Sequence, residues 1–293
     1  MCSTARGPDG SRWHRSPTPV MPLGKSLDAM RSDRTFCLLK RVFIWTALMI
    51  LTESQMNAES EHVVLLHGLC RTSKSMMVLE RALASVGYCV HNVDYPSRTA
   101  LVERLSEDAI GRALTECRSN GAQTIHFVTH SLGGILVRSY LSRHAVAELG
   151  HVVMLGPPNR GSEVADRLAS WKVYSLLNGP AGLELGTRPS STPNQLGPAH
   201  FSLGIIAGNR SNNWINSLII PGVDDGKVSV ENTKLEGMAD HIVLKTTHPM
   251  MMRNRQVISQ TITFLRTGRF LHDPRKRAEP GEGKQSIVQM RRP

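Results

Sequence analysis

Ile125-His126-Phe127-Val128-Thr129-His130-Ser131-Leu132-Gly133-Gly134 is the stretch whose reading decides the fold. Ile125 to Val128 reads as a buried strand, and it breaks at Thr129 into a turn of small residues around one serine. Ile135, Leu136, Tyr140 and Leu141 then recur at helical spacing, so strand, turn and helix follow in order. A strand-to-helix turn of this kind holds its serine in a strained backbone conformation that lifts Oγ clear of the fold, and it aims the first N–H groups of the helix at negative charge. Gly133, two residues after Ser131, and Gly134 supply the room. Thr129, two residues before, stands where the usual pattern has glycine, and its branched Cβ crowds the turn more than glycine would. A glycine-rich connection in any α/β domain shares the turn, so the flanking segments decide what the serine is for.

Upstream, His62-Val63-Val64-Leu65-Leu66 is a short β-branched apolar run of the kind that forms a buried parallel strand. It ends in His67-Gly68-Leu69, where glycine permits a tight loop. Downstream, Leu203 to Ala207 leads to Pro221-Gly222-Val223-Asp224-Asp225-Gly226-Lys227-Val228, and His241-Ile242-Val243-Leu244-Lys245 leads to Thr246-Thr247-His248-Pro249. A serine becomes a nucleophile when a histidine takes its proton and a carboxylate fixes the tautomer of that histidine. His248, which follows a strand, is the expected base. Asp225, directly before Gly226, is the expected acid, with Asp224 as its alternative or as the residue that caps the turn. His241 is the alternative base, but it opens a strand and therefore belongs to the other edge of a parallel sheet. His67 is expected to organise its loop by hydrogen bonding, because a base needs an acid partner of its own.

These phrases together resemble the α/β-hydrolase superfamily, and within it the bacterial lipase-like serine esterases. Val152-Val153-Met154-Leu155-Gly156-Pro157-Pro158-Asn159-Arg160-Gly161-Ser162 looks like the strand and Pro-x-x-Gly-Ser turn that follow the nucleophile helix in those lipases. Gly87-Tyr88-Cys89-Val90-His91-Asn92-Val93-Asp94-Tyr95-Pro96 resembles the strand after the oxyanion loop. The resemblance covers about residues 60 to 270 and implies a triad of Ser131, Asp225 and His248. It also implies an oxyanion hole formed by the backbone amides of Leu69 and Leu132, whose side chains are incidental to that role. It implies no cofactor and no metal. Esterases, lipases, thioesterases, amidases, acyltransferases and non-catalytic relatives all share this fold, so the resemblance identifies the chemistry better than the target.

Strands are expected near 62–67, 88–93, 124–129, 151–156, 202–207 and 240–246, with helices near 74–86, 101–119, 132–146 and 252–266. Their alternation argues for a mainly parallel sheet with helices on both faces. The resemblance, with its first strand so soon after the N-terminal segment, implies a reduced α/β-hydrolase fold of about six strands over residues 59–270. A body of that length buries a substantial core without disulfides or metals. Residues 163–200 interrupt the alternation with Trp171, Tyr174, Leu176 and Leu177 and a loop rich in glycine, proline and serine. Two readings stand open for them: a small cap over Ser131 that lines an acyl pocket, or a connecting helix and long surface loop.

Lys40-Arg41 precedes ten apolar-leaning residues, Val42 to Leu51. A basic flank and a run shorter than the roughly 20 residues of a spanning helix fit a signal peptide over residues 36–58, cut after Ala58. Met56 only half meets the small-x-small rule for cleavage, so a membrane anchor through residues 36–52 is the alternative. Export, to the periplasm or beyond, or anchorage is the expected localisation. Residues 1–35 are irregular and polar, and Met30 is an internal candidate start, so they read as a leader or an over-extended N-terminus.

The formal net charge is +11, but residues 1–58 carry 8 basic and 4 acidic side chains and residues 271–293 carry 6 and 3, so the ends hold +7 of it. The C-terminal segment reads as a disordered basic tail, with contact to anionic lipid headgroups as the alternative. No basic stripe or binding module indicates nucleic acid. Cys70, Cys89 and Cys117 follow the expected cut; Cys89 reads as a packing residue on a buried strand, and Cys70 becomes a candidate reactive thiol if exposed. No CxxC or HExxH pattern marks a metal site. The expected partner is a small-molecule ester or lipid, and the oligomeric state is open. The expected activity is ester hydrolysis through an acyl-enzyme on Ser131, against two alternatives: an acyltransferase with the same triad, and a non-catalytic binding protein on the same fold.

Overall fold

The computed structural model describes residues 61–168, 172–212 and 214–273. Strands β1 (Glu61–Leu66), β2 (Cys89–Val93), β3 (Thr124–His130), β4 (Leu149–Leu155), β5 (Leu203–Gly208) and β6 (Asp240–Leu244) form one sheet in the order β2-β1-β3-β4-β5-β6. Every neighbouring pair is parallel. The connections carry α1 (Met77–Ala84), α2 (Val102–Ser119), α3 (Leu132–Leu141), α4 (Glu163–Leu168), α5 (Lys172–Leu183), α6 (Thr192–Gln195), α7 (Trp214–Ile219) and α8 (Val230–Thr233), and α9 (Arg255–Thr267) follows β6.

Successive strand side chains point to opposite faces, so a doubly covered parallel strand must be apolar throughout. β1 meets that demand: Val64 and Leu66 enter one core with Phe127, Leu114 and Ile135, while Val63 and Leu65 enter the other with Val128, Leu83 and Phe264. The first core lies under α2 and α3, the second under α1 and α9. Each fully buried Leu, Val or Phe contributes about 1.5–3 kcal/mol to these two cores. Helix ends follow local chemistry. Asn254 caps α9 by accepting from the amides of Gln256 and Val257, and Gly268, at φ 68°, ends it.

The six parallel strands and helices on both faces match the sequence reading, with corrections in detail. The helix expected to run to residue 146 stops at Leu141. The helix expected from residue 74 opens as a 3-10 turn, Ser73–Met76, before α1. Residues 163–200 hold three helices, and α5 kinks where Gly179 adopts φ 66° immediately before Pro180. Cys89 is half-exposed instead of buried, because β2 is the outer strand of the sheet. The expected leader and signal segment over residues 1–58, and the tail beyond Asp273, lie outside the described residues. Among the described residues no helix is long and apolar enough to cross a membrane.

The strand order explains where a site forms. From β1 the chain goes outward to β2 and then returns to the other flank of β1 as β3, so the loops after β1 and β3 leave neighbouring strands at the same edge. A crevice opens at such a reversal, beyond the carboxyl ends of the strands. Leu66 pairs with Thr129, which sets the His67-Gly68-Leu69 loop beside Ser131.

Candidate active site

Ser131 follows β3 at φ 53° and ψ −119°, and it is one of only two non-glycine residues with positive φ among the described residues, the other being Cys70. Such a conformation costs on the order of 1–3 kcal/mol and persists only where the surroundings enforce it. The surroundings here are close-packed backbone. A Cβ on Gly133 would lie 2.6 Å from the Leu66 carbonyl oxygen, and one on Gly68 would lie 2.7 Å from His130 Nδ1 and 3.1 Å from Ser131 Cβ. The Ser131 amide donates to the Leu155 carbonyl at 2.9 Å, which ties the turn to β4. Thr129 is fully buried within β3, paired with Leu66 and Met154. The strand continues through His130, so the reversal begins two residues after Thr129, at Ser131, and a β-branched side chain is accommodated.

The Pro221–Val228 loop and the turn after β6 converge beside this serine. His248 Nδ1 and Asp225 Oδ2 are 2.7 Å apart, with both residues buried. The other carboxylate oxygen, Oδ1, accepts from the amides of Lys227 at 3.0 Å and Val228 at 2.9 Å, and the His248 amide donates to the Asp225 carbonyl at 2.9 Å. An acceptor on Nδ1 assigns the proton to that nitrogen and leaves Nε2 basic. Asp224 turns away: its Oδ1 accepts from the Gly226 amide at 2.7 Å and from Ser217 Oγ at 2.9 Å, so it holds the turn that presents Asp225. His241 lies at the start of β6, where Nε2 meets Thr233 Oγ1 at 3.1 Å and burial lowers its pKa to about 4.

His67 is enclosed within its loop. Its Nδ1–H donates to the Gly68 carbonyl at 2.9 Å, Nε2 accepts from the Tyr95 amide at 3.3 Å, and its ring stacks on Tyr95 at 4.1 Å. Tyr95 in turn donates its hydroxyl to the His67 carbonyl at 2.6 Å. Burial holds the imidazole below its ordinary pKa, so it is a neutral brace. The brace fixes the segment that carries Leu69. Leu132 is the first residue of α3, where an amide has no acceptor within its own helix.

A cavity of about 390 Å³ joins these parts, with Leu69, His130, Ser131 and His248 in its wall. Val164, Ala165, Asn178 and Leu185 add a wall from the 163–200 segment, so that insertion does line the space beside Ser131. Arg71, Lys227 and the exposed Cys70 also line it. Burial raises the Cys70 pKa, which disfavours a reactive thiolate.

Two supporting residues escaped the sequence reading. His130 Nε2–H donates to the His248 carbonyl at 3.0 Å, its ring centroid lies 4.6 Å from that of His248, and burial keeps it neutral, its pKa well below the ordinary value. Arg138, buried on α3, donates to Asn159 backbone and side-chain oxygens and to the carbonyls of Pro193 and Gly197. It thereby pins the loop after β4 to the insertion. A histidine inside the serine turn and an arginine on an apolar helix face were the available signals, but neither names its partner.

Solved structures share this architecture at low identity. The mature lipase BlEst2 of Bacillus licheniformis aligns with TM-score 0.57 and 20% identity, over 70% of this chain and 91% of that one. Phospholipase PlaB from Legionella pneumophila, in complex with thio-NAD, gives 0.51 and 17%, over 70% and 62%. A structure described under the metagenome-derived lipolytic enzymes LipS and LipT gives 0.51 and 14%, over 71% and 94%. No curated protein sequence matches the chain significantly. A family model described as "Alpha/beta hydrolase family" matches residues 63–213, more than half of the 293 residues and the whole stretch from β1 through the serine turn. With that match, the six-stranded parallel sheet and the strained serine at its switch point, the chain belongs to the α/β-hydrolase family.

Proposed function

We propose that this protein is a serine hydrolase that cleaves carboxylic esters through an acyl-enzyme on Ser131. The observation that carries the reading is the 2.7 Å contact between His248 Nδ1 and Asp225 Oδ2, beside a serine held at φ 53°. His248 Nε2 takes the proton from Ser131 Oγ as that oxygen attacks the ester carbonyl. Asp225 keeps His248 in the required tautomer and stabilises the imidazolium. The amides of Leu69 and Leu132 receive the negative charge on the carbonyl oxygen, a contribution of about 3–4 kcal/mol per donor in comparable sites. The imidazolium returns its proton to the leaving alcohol, and water then releases the acyl group by the same steps in reverse order.

Leu69, Pro158, Val164, Ala165, Leu185 and Val228 give the cavity apolar walls suited to an acyl chain. The similarity to lipases and a phospholipase supports lipids or simple esters as the substrate class. The apolar run Val42 to Leu51 behind Lys40-Arg41 supports export or anchoring of the chain.

Hydrolysis of p-nitrophenyl esters of increasing chain length, with and without an emulsified interface, tests the activity. Saturable turnover that disappears in Ser131→Ala is expected. Equal turnover by wild type and Ser131→Ala would exclude the mechanism. Glycerol or alcohols as competing acceptors separate hydrolysis from acyl transfer, with free acid as the expected product.

A further inference from the structure

At the opposite end of the sheet, the first residues of β1 and β2 bring three donor atoms together. His62 faces Cys89 across the parallel pair, and His91, two residues on, returns to the same side, under α2. The donor atoms of His62, Cys89 and His91 all lie within 4.8 Å of one another. His62 Nδ1 is 2.9 Å from His91 Nε2, and Cys89 Sγ is 3.7 Å from the same nitrogen. Glu116, on α2, places a carboxylate oxygen 3.3 Å from His91 Nδ1. Both imidazoles are buried, at 1% and 8% exposure, while Cys89 is half-exposed at the outer strand. A solute therefore reaches the cluster from the edge of the sheet.

Hydrogen bonding assigns the protons. The carboxylate of Glu116 takes the proton side of His91 Nδ1, which leaves His91 Nε2 as a lone pair that accepts from His62 Nδ1–H. His62 Nε2 is buried with no hydrogen-bond partner in either tautomer, so the donors that face one another are His62 Nδ1, His91 Nε2 and Cys89 Sγ.

We propose that His62, Cys89 and His91 form a binding site for a borderline-soft divalent cation, zinc above all, with a solvent molecule as fourth ligand and Glu116 orienting His91 from behind. Two imidazoles and a thiolate are the donor set that zinc prefers, and a carboxylate on the far nitrogen of a ligating histidine is its usual support. Zinc–nitrogen bonds of about 2.0–2.1 Å and zinc–sulfur bonds of about 2.3 Å set tetrahedral neighbours roughly 3.3 Å apart for two nitrogens and roughly 3.6 Å for nitrogen and sulfur. The separation of Cys89 Sγ from His91 Nε2 is close to that value, and the sulfur and the His62 donor lie within 4.8 Å of each other. The two nitrogens need to part by a few tenths of an ångström, which the loss of their shared proton brings about. On binding, His62 moves its proton from Nδ1 to Nε2 and offers the Nδ1 lone pair, Cys89 releases its thiol proton to solvent, and His91 keeps its Nδ1–H on Glu116. The ion would clasp the outer strand β2 to β1. The site is remote from the serine: His62 pairs with Ile125, and six residues of strand and turn at about 3.3 Å each separate Ile125 from Ser131, roughly 20 Å. Motif reading passed over the cluster because its ligands come from two strands far apart in sequence.

The test uses the purified full chain, stripped with a chelator and titrated with Co²⁺ and Zn²⁺. One ion per chain is expected, with a thiolate-to-cobalt charge-transfer band, tetrahedral visible bands and a rise in Tm with zinc. Cys89→Ser should abolish the charge-transfer band and lower zinc affinity at least about 100-fold. Glu116→Gln, on an exposed side chain, should keep the band and lower affinity about 10-fold. Cys70→Ser should leave the band intact. Absence of stoichiometric binding, a band that survives Cys89→Ser, or zinc affinity unmoved by Glu116→Gln would each overturn the proposal.

Discussion

The two ends of this one sheet use the same residue types to opposite effect. At the carboxyl end, His248 has an acid on Nδ1 and lines a cavity together with a serine in a strained conformation. At the amino end, His62, His91, His126 and His151 are engaged with one another or with strand backbone. His126 Nδ1 accepts from the His151 amide at 2.8 Å, and the rings of His126 and His151 stack at 5.6 Å. Histidine content therefore says little about reactivity. What separates the ends is backbone: strands leave the sheet into tight, glycine-dependent turns at one end and enter it as regular pairs at the other. The proposed site lies where the backbone has been forced beside a cavity.

Substitution of Ser131 or Asp225 should cost turnover and spare folding, and substitution of the amino-end histidines should do the reverse. The largest effect belongs to Ser131→Ala, expected to lower kcat on a p-nitrophenyl ester by about 10⁵-fold or more while the circular dichroism spectrum stays unchanged. Asp225→Asn should follow, at about 10³- to 10⁴-fold in kcat, because it leaves His248 in the wrong tautomer. Asp224→Asn should change kcat by less than about tenfold, since Asp224 Oδ1 only holds the turn. Comparable losses in the two variants, measured side by side, would erase the distinction between the acids.

Gly133→Ala probes the forced backbone itself. Its new Cβ would stand 2.6 Å from the Leu66 carbonyl oxygen, and relief requires β1 and α3 to separate. A loss of about 1–3 kcal/mol in urea unfolding is expected, together with loss of turnover. Wild-type stability and activity in this variant would mean that the turn is not tightly determined.

A smaller effect tests the amino end and its neighbour at β6. Burial lowers the pKa values of His126 and His241 to about 4, against 6.5 for an unperturbed histidine. The unfolded chain therefore binds more protons than the folded one between those values. The contribution of these groups is complete above pH 6.5 and is lost as the pH falls through that window, on the order of a few kcal/mol for the two together. His126→Asn should flatten the pH dependence of Tm between pH 6.5 and 4 and leave kcat at pH 7.5 within about twofold. The smallest effect expected is that of Cys89→Ser on turnover, again within about twofold.

Much of this architecture was legible in the chain. β-branched runs such as His62 to Leu66 and Ile125 to Val128 are too short and too apolar to be anything but doubly covered strands, and Gly133 marks a turn that tolerates no side chain. The positions of His248 after a strand and of Asp225 before a glycine were legible, and the structure brings their side chains together. What could not be read depends on adjacency across the sheet. The exposure of Cys89 follows from strand order, which no local pattern states. The brace between His130 and the His248 carbonyl, and the three carbonyls gathered by Arg138, join residues far apart in sequence through backbone oxygens that every residue possesses. Thr129 illustrates the converse: measured against the motif it is a departure, but in the structure it is a strand residue two positions before the turn.

The most direct measurement of the central claim is active-site labelling with a fluorophosphonate on the folded chain, followed by mass spectrometry of the modified peptide. One adduct per chain on Ser131 is expected, absent in Ser131→Ala and slowed by orders of magnitude in Asp225→Asn. A folded protein that forms no adduct, or an adduct that survives Ser131→Ala, would contradict it.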